Sequence, residues 1–298
     1  MEVRLPHAMA TESFRIIDRP VRDQLGEGLL WCARENAVYW VDILAQSLHR
    51  LSLVDETVHT WPIPERIGWV VERRDQPGFI AGLQSGFHEL TLNPFGCRRI
   101  VNPEPQYPNN RLNDAGVDGY GRIWAGTMDS GASVATGSLY CLDTNFKVTR
   151  RDTGYVVTNG PVFSPAGDFL FHNDTARGVV YRFKVTPQGE LREKTEFLHF
   201  PNEWGLPDGM TVDAEGCLWI AHWGGARVSR FDPDGDLERL IRLPAAQITN
   251  VVFAGSDLDR MFVTSAATGR EAEALAGVLF EVDVGGRIKG LPPHAFGG

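Results

Sequence analysis

A unit made of an apolar run, a turn rich in Asp, Gly or Pro, and a second short apolar run with an aromatic recurs through this 298-residue sequence. It is plainest at Asn113 to Thr127, Asn159 to Asp174 and Asp208 to His222; weaker copies run from Glu27 through Asp42, from Gly68 through Gly82 and from Asn250 through Thr264. With the second runs aligned, Trp40, Ile80, Trp124, Phe171, Trp219 and Phe262 fall at equivalent places, 40, 44, 47, 48 and 43 residues apart. A period of roughly 40 to 50 residues marks solenoids and propellers, whose repeated unit cannot bury its apolar face alone. Strand-like segments follow the aromatics, as at Ser47 to Leu53, Ser138 to Asp143, Val179 to Val185, Val228 to Asp232 and Val278 to Val284, giving four short strands per unit. The sequence therefore predicts an all-β fold, a six-bladed β-propeller with four antiparallel strands per blade, as a single domain spanning 1–298. Phe14 to Ile17 is expected to supply the outer strand of the last blade, so that the ring closes without an unpaired edge. The residues ahead of it, about 1–12, are expected to form a flexible N-terminal extension. A sandwich also has many short strands, but predicts no regular period.

Composition agrees, since 32 Gly, 18 Pro and 8 Trp supply turns and aromatics for short strands. The 29 basic residues are outnumbered by 38 acidic ones, a net charge of -9, and no Lys/Arg run offers a phosphate-binding stripe. Nucleic acid is thus not an expected partner. No stretch of about 18 apolar residues is present to span a bilayer. The first residues, broken by Arg4, His7, Glu12 and Arg15, lack the apolar core of a signal peptide. A cytoplasmic protein with no membrane partner, a monomer or weak homo-oligomer, is expected. Cys32, Cys97, Cys141 and Cys217 are scattered without a C-x-x-C pair and read as free thiols packed in strands.

In a propeller the first strand of each blade lines the central channel, so the residues at its start form a ring at one mouth. Counting back 11 to 13 residues from each aligned position gives Glu27, Ile67, Asn113, Asn159, Asp208 and Asn250. Five of these six carry side-chain oxygens. Asn-Gly and Asp-Gly are also ordinary turn dipeptides, but two carboxylates in one shielded mouth repel unless a proton or a cation sits between them. All-oxygen ligation suits a hard ion such as Ca²⁺, Mg²⁺ or Mn²⁺, and Zn²⁺ or Fe²⁺ also accept carboxylates. The second strand returns to the same mouth, which makes Met128, Asp129, Asp174, His222, Trp223 and the preceding Arg111 candidate substrate contacts. His172, in mid-strand, reads as a packed histidine.

These residues fall in the segments Leu25-Gly26-Glu27-Gly28, Asn110-Arg111-Leu112-Asn113-Asp114, Ala125-Gly126-Thr127-Met128, Thr158-Asn159-Gly160-Pro161 and Pro207-Asp208-Gly209-Met210. Together they resemble the SMP-30/gluconolactonase/LRE-like family, which includes regucalcin and bacterial aldonolactonases, over nearly the whole chain. The resemblance implies one divalent metal held by Glu27, Asn159 and Asp208, substrate contacts from Arg111 and Asn113, and an acid/base role for Asp208. It departs at Asp129-Ser130-Gly131, where regucalcin-like members carry a mouth glutamate. The segments Phe171 to Thr175 and Trp219 to Gly225 look closer to bacterial pentonolactonases and xylonolactonases, which implies a pentonolactone such as L-arabinono- or D-xylono-lactone, with L-fucono- and D-glucono-lactone also open.

The expected activity is metal-dependent hydrolysis of a small sugar lactone. No Ser or Cys stands in a triad context for a covalent route. A metal-dependent esterase or phosphotriesterase on the same propeller, and a non-catalytic calcium-binding propeller, are the alternatives.

Overall fold

The computed structural model describes residues 13–298, so the extension expected over residues 1–12 lies outside the described residues. Six four-stranded antiparallel sheets follow one another around an axis. The first blade comprises Gly26–Cys32, Ala37–Asp42, Ser47–Ser52 and Val58–Pro62. The second blade begins with Ile67–Glu72, the third with Asn110–Val117, the fourth with Thr158–Phe163, and the fifth with Leu206–Val212. Ile248–Ala254, Arg260–Ser265 and Phe280–Asp283 form most of the sixth blade. Its outer strand is the N-terminal Phe14–Ile16, which pairs antiparallel with Phe280–Asp283 and closes the ring as expected. Helix is confined, among the described residues, to three single 3₁₀ turns.

Each blade buries one face against the next. Tyr39 and Val41 of the first blade pack on Val70 and Phe79 of the second; Trp69 packs on Leu112 and Ile123 of the third. Trp124 packs on Leu170 and Phe183 of the fourth, Phe171 on Met210 and Ile220 of the fifth, and Trp219 on Val251 and Phe280 of the sixth. Phe262 closes the circle on Trp31 and Trp40. Burying each such large side chain contributes about 1.5–3 kcal/mol, which makes the blade interfaces the chief source of stability.

Strand register corrects the sequence alignment by one residue in two blades. Asn159 lies opposite Asn173 and Asn250 opposite Thr264, each two residues after its aromatic, whereas Glu27 lies opposite Val41. Tyr39, not Trp40, is therefore the counterpart of Phe171 and Phe262. Trp40 faces back toward the sixth blade, and its indole Nε1 donates to Asp23 Oδ2 at 2.9 Å. Ile67 pairs with Leu83, three residues after Ile80, so the ring position of the second blade falls on Gly68.

All six inner strands carry a register shift at this level, as between Glu27 and Leu30 or Asn159 and Val162. A bulge re-aims the side chain beside it, and here the bulges lie at the ring residues. Gly28 at φ 58° and Gly160 at φ 63° provide the left-handed backbone after Glu27 and Asn159. The C-terminal segment crosses the opposite face, bridging Asp213 to Gly290 and Arg73 to Phe296, and Leu291 to His294 line that end of the axial channel.

Candidate active site at the axial mouth

Glu27, Asn113, Asn159 and Asp208 meet at one end of the axis, in a cavity of about 370 Å³ that Arg111, Met128 and Trp223 also line. All four ring residues are buried. One chain of hydrogen bonds orients them. Arg111 donates to Asn113 Oδ1 at 2.5 Å, and Asn113 Nδ2 donates to Asn159 Oδ1 at 2.8 Å. Asn159 Nδ2 donates to Thr175 Oγ1, Thr175 Oγ1 to Asn173 Oδ1, and Asn173 Nδ2 to the Asp208 carbonyl. Asn250 Nδ2 donates to Glu27 Oε2 at 3.1 Å. The Asn113 side chain is thereby engaged within the protein, its Nδ2 also donating to the Thr158 carbonyl at 2.6 Å, and it lines the cavity.

The electrostatics are those of crowded acids. Burial, then the charges of Asp208 and Asp114, raise the Glu27 carboxyl well above its ordinary range. Burial and Asp114 do the same to Asp208, against smaller opposing effects of the Gly209 amide and Arg111. Asp114 is raised by burial to about 6, although its oxygens accept the Ala115 and Gly160 amides. Burial lowers the Arg111 guanidinium to about 10, while Glu27 and Asp208 favour its charge. Buried carboxylates without a compensating cation are costly. Their oxygens, with Asn159 Oδ1, make a hard donor set for which a divalent ion is the natural partner. Among the described residues no group of three His, Cys, Asp or Glu side chains is placed to hold a metal, so such an ion depends on carboxamide oxygen as well.

Other residues singled out from the sequence lie elsewhere. Asp129 sits at the rim, where its Oδ2 accepts the Gly131 amide at 3.2 Å. Asp174 is buried away from the cavity, accepts the Val156 and Val157 amides at 3.1 and 3.2 Å, and pairs with Arg177. His222 is also fully buried, hydrogen-bonded through Nδ1 to the Trp204 carbonyl and packed against Phe200, and burial lowers it to about 3. His172 is packed against Tyr155 as expected. All four cysteines are free.

Three participants escaped the sequence reading. Asp114 directly follows a ring residue, Thr175 directly follows Asp174, and Arg66 lies two residues before Gly68 as Arg111 lies two before Asn113. The ring positions pointed to Asp114; Arg66 emerges once strand register moves the second-blade ring position to Gly68, and only the fold reveals Thr175.

Fold and site together define a propeller with an acidic, oxygen-lined axial mouth flanked by a buried arginine. Residues 25–267 match the model of the SMP-30/Gluconolactonase/LRE-like region, and the chain belongs to that family. It is 36% identical over 253 residues to a 6-deoxy-6-sulfogluconolactonase of Pseudomonas putida, covering 85% of this chain and 87% of the relative. It is 34% identical over 258 residues to an L-arabinolactonase of Azospirillum brasilense, covering 86% and 85%. A crystal structure of a calcium-binding protein, regucalcin, from Agrobacterium tumefaciens superposes with a TM-score of 0.89 at 27% identity, covering 97% of this chain and 99% of that one.

Proposed function

We propose that the protein hydrolyses an aldonolactone, opening the ring ester of a small sugar lactone to its aldonic acid, with one divalent ion held by Glu27, Asn159 and Asp208. The observation that carries this reading is the pair Glu27 and Asp208, two buried carboxylates held above their ordinary range beside a cavity open to a small molecule. Relatives named as sugar lactonases supply the substrate class, and a structural neighbour named as calcium-binding supports the ion.

When bound there, a divalent ion of the Ca²⁺, Mg²⁺, Mn²⁺, Zn²⁺ or Fe²⁺ type supplies the positive charge that polarises a lactone carbonyl and eases deprotonation of water. Asp208 accepts the proton of the attacking water at its carboxylate and returns it to the departing ring oxygen. Arg111, with donors beyond the one bound to Asn113, orients the sugar hydroxyls and the ring ester. Asn113 holds Arg111 and Asn159 in place, and Trp223 offers a flat apolar face to the sugar ring.

A second reading has its own support. Leu25, Val157 and Leu206 make part of the cavity wall apolar, which suits an esterase acting on less polar esters. Acid release from a panel of neutral pentono- and hexonolactones and of simple aryl esters, with and without chelator, tests both. Chelator-sensitive turnover of a sugar lactone above the aryl esters is expected. Preference for the esters overturns the lactonase reading, and full turnover by protein verified to be metal-free overturns the metal.

A further inference from the structure

In five of the six blades the position two residues before the ring residue forms a second tier of the mouth. It is Leu25 in the first blade, Arg66 in the second, Arg111 in the third, Val157 in the fourth and Leu206 in the fifth, and all five line the same cavity. The tier is thus divided, with two arginines on adjacent blades and aliphatic side chains on the others. Arg111 has counter-charges, since Glu27 and Asp208 act on it. Arg66 stands on the blade between those of Glu27 and Arg111, and its charge opposes that of Arg111. The Arg66 guanidinium is half-buried, and among the described residues no side chain forms a hydrogen bond or ion pair with it. Its neighbour Glu65 is turned away, bonded to Ser85. Asp129 shares the shallow rim pocket with Arg66 but makes no ion pair there. Holding two guanidinium groups together without an acid between them is unfavourable, and an oxyanion that bridges them relieves it through charge-assisted, bidentate hydrogen bonds.

We propose that Arg66, acting with Arg111, is the specificity-determining residue of this site and selects lactones that carry an anionic oxyanion substituent at the end of the sugar remote from the lactone carbonyl. The inference rests on the lactonase reading and deepens it by naming the substrate class. In this pose the carbonyl lies toward Glu27, Asn159 and Asp208, the anionic tail lies between Arg66 and Arg111, and the carbon skeleton lies along Leu25, Val157 and Leu206.

The test compares D-glucono-1,4-lactone with D-glucaro-1,4-lactone, which differ only in the terminal hydroxymethyl or carboxylate. The native protein should show kcat/KM at least about tenfold higher for the glucarolactone, and the preference should shrink as ionic strength rises, as expected for an attraction at a partly solvated site. Arg66→Gln should reduce the preference about tenfold or more, chiefly through KM, and Arg66→Lys should retain part of it; retained melting temperatures confirm folding. Hydrolysis of both lactones without preference, or a preference unchanged in Arg66→Gln, overturns the inference and leaves the lactonase reading standing. Hydrolysis of neither lactone counts against the lactonase reading, and calorimetric binding then decides the arginine pair. D-glucarate should bind the native protein about tenfold more tightly than D-gluconate and lose that advantage in Arg66→Gln. Equal affinities overturn the proposal.

Discussion

Asn113 and Asn159, on neighbouring blades, share a hydrogen bond from Nδ2 to Oδ1 at 2.8 Å that fixes which way the Asn159 carboxamide faces. Thr175 holds the other end of the same group, so its oxygen is presented to the axis rather than its nitrogen. Supports of this kind commonly contribute 10–100-fold in metal affinity. Asn113→Ala should therefore weaken divalent-ion binding by about that factor and lower turnover further, because Arg111 loses its anchor as well. Titration of an ion into chelator-treated protein measures the first effect. Unchanged affinity would remove Asn113 from the support of the site.

The crowded carboxylates make the metal-free protein pH-dependent in a definite direction. Burial raises Asp114 to about 6 from an ordinary 3.8, so the native state binds its proton more tightly than the unfolded chain does. Stability must then fall as pH rises between those values, by on the order of 3 kcal/mol for this group. Denaturant unfolding of chelated protein between pH 4.5 and about 7.5 should show the decline. Asp114→Asn should flatten it, and a saturating divalent ion should oppose it by neutralising Glu27 and Asp208. A metal-free protein whose stability rises across this window contradicts the electrostatic picture.

The period made the propeller legible, because only a repeated four-stranded unit explains six copies at five near-equal intervals. The ring residues followed from one count per blade. The bulges did not: a one-residue slip moves a side chain to the other face of its strand, and residue type alone did not reveal that Tyr39 and Gly68 hold the places given to Trp40 and Ile67. Side-chain direction at strand ends was equally hidden. Asp174 and His222 end their strands on the mouth side, yet both turn into local packing and capping. Comparison between blades held a clue, since Asp42 ends the matching strand of the first blade and accepts the Gln24 and Leu25 amides as Asp174 accepts Val156 and Val157.

That parallel gives Asp174 a structural test. Asp174→Ala leaves two backbone amides without an acceptor and Arg177 with the Gly154 carbonyl but no carboxylate, which should cost about 1–3 kcal/mol. Below the lowered melting temperature, KM for a hydrolysed lactone should remain within about twofold. A tenfold rise in KM with unchanged stability would restore Asp174 to the substrate site.

Asp208 and Glu27 are both assigned to the ion, but only Asp208 is assigned a proton, and amide replacement separates the two tasks. An amide keeps one oxygen donor nearly in place and cannot accept a proton at neutral pH. Glu27 already accepts the Asn250 and Gly28 donors, so Glu27→Gln keeps its surroundings and should lose mainly ion affinity. Turnover in that variant should recover largely at saturating metal. Asp208→Asn should also bind the ion more weakly, yet at saturating metal its kcat should stay about 10² or more below the native value, the usual scale of general acid–base catalysis. Asp208→Ala, which removes both functions, should lose ion binding more severely. Metal titrations of kcat for the three variants separate the outcomes. Should excess ion rescue Asp208→Asn as fully as Glu27→Gln, Asp208 is a ligand alone and carries no proton in the reaction.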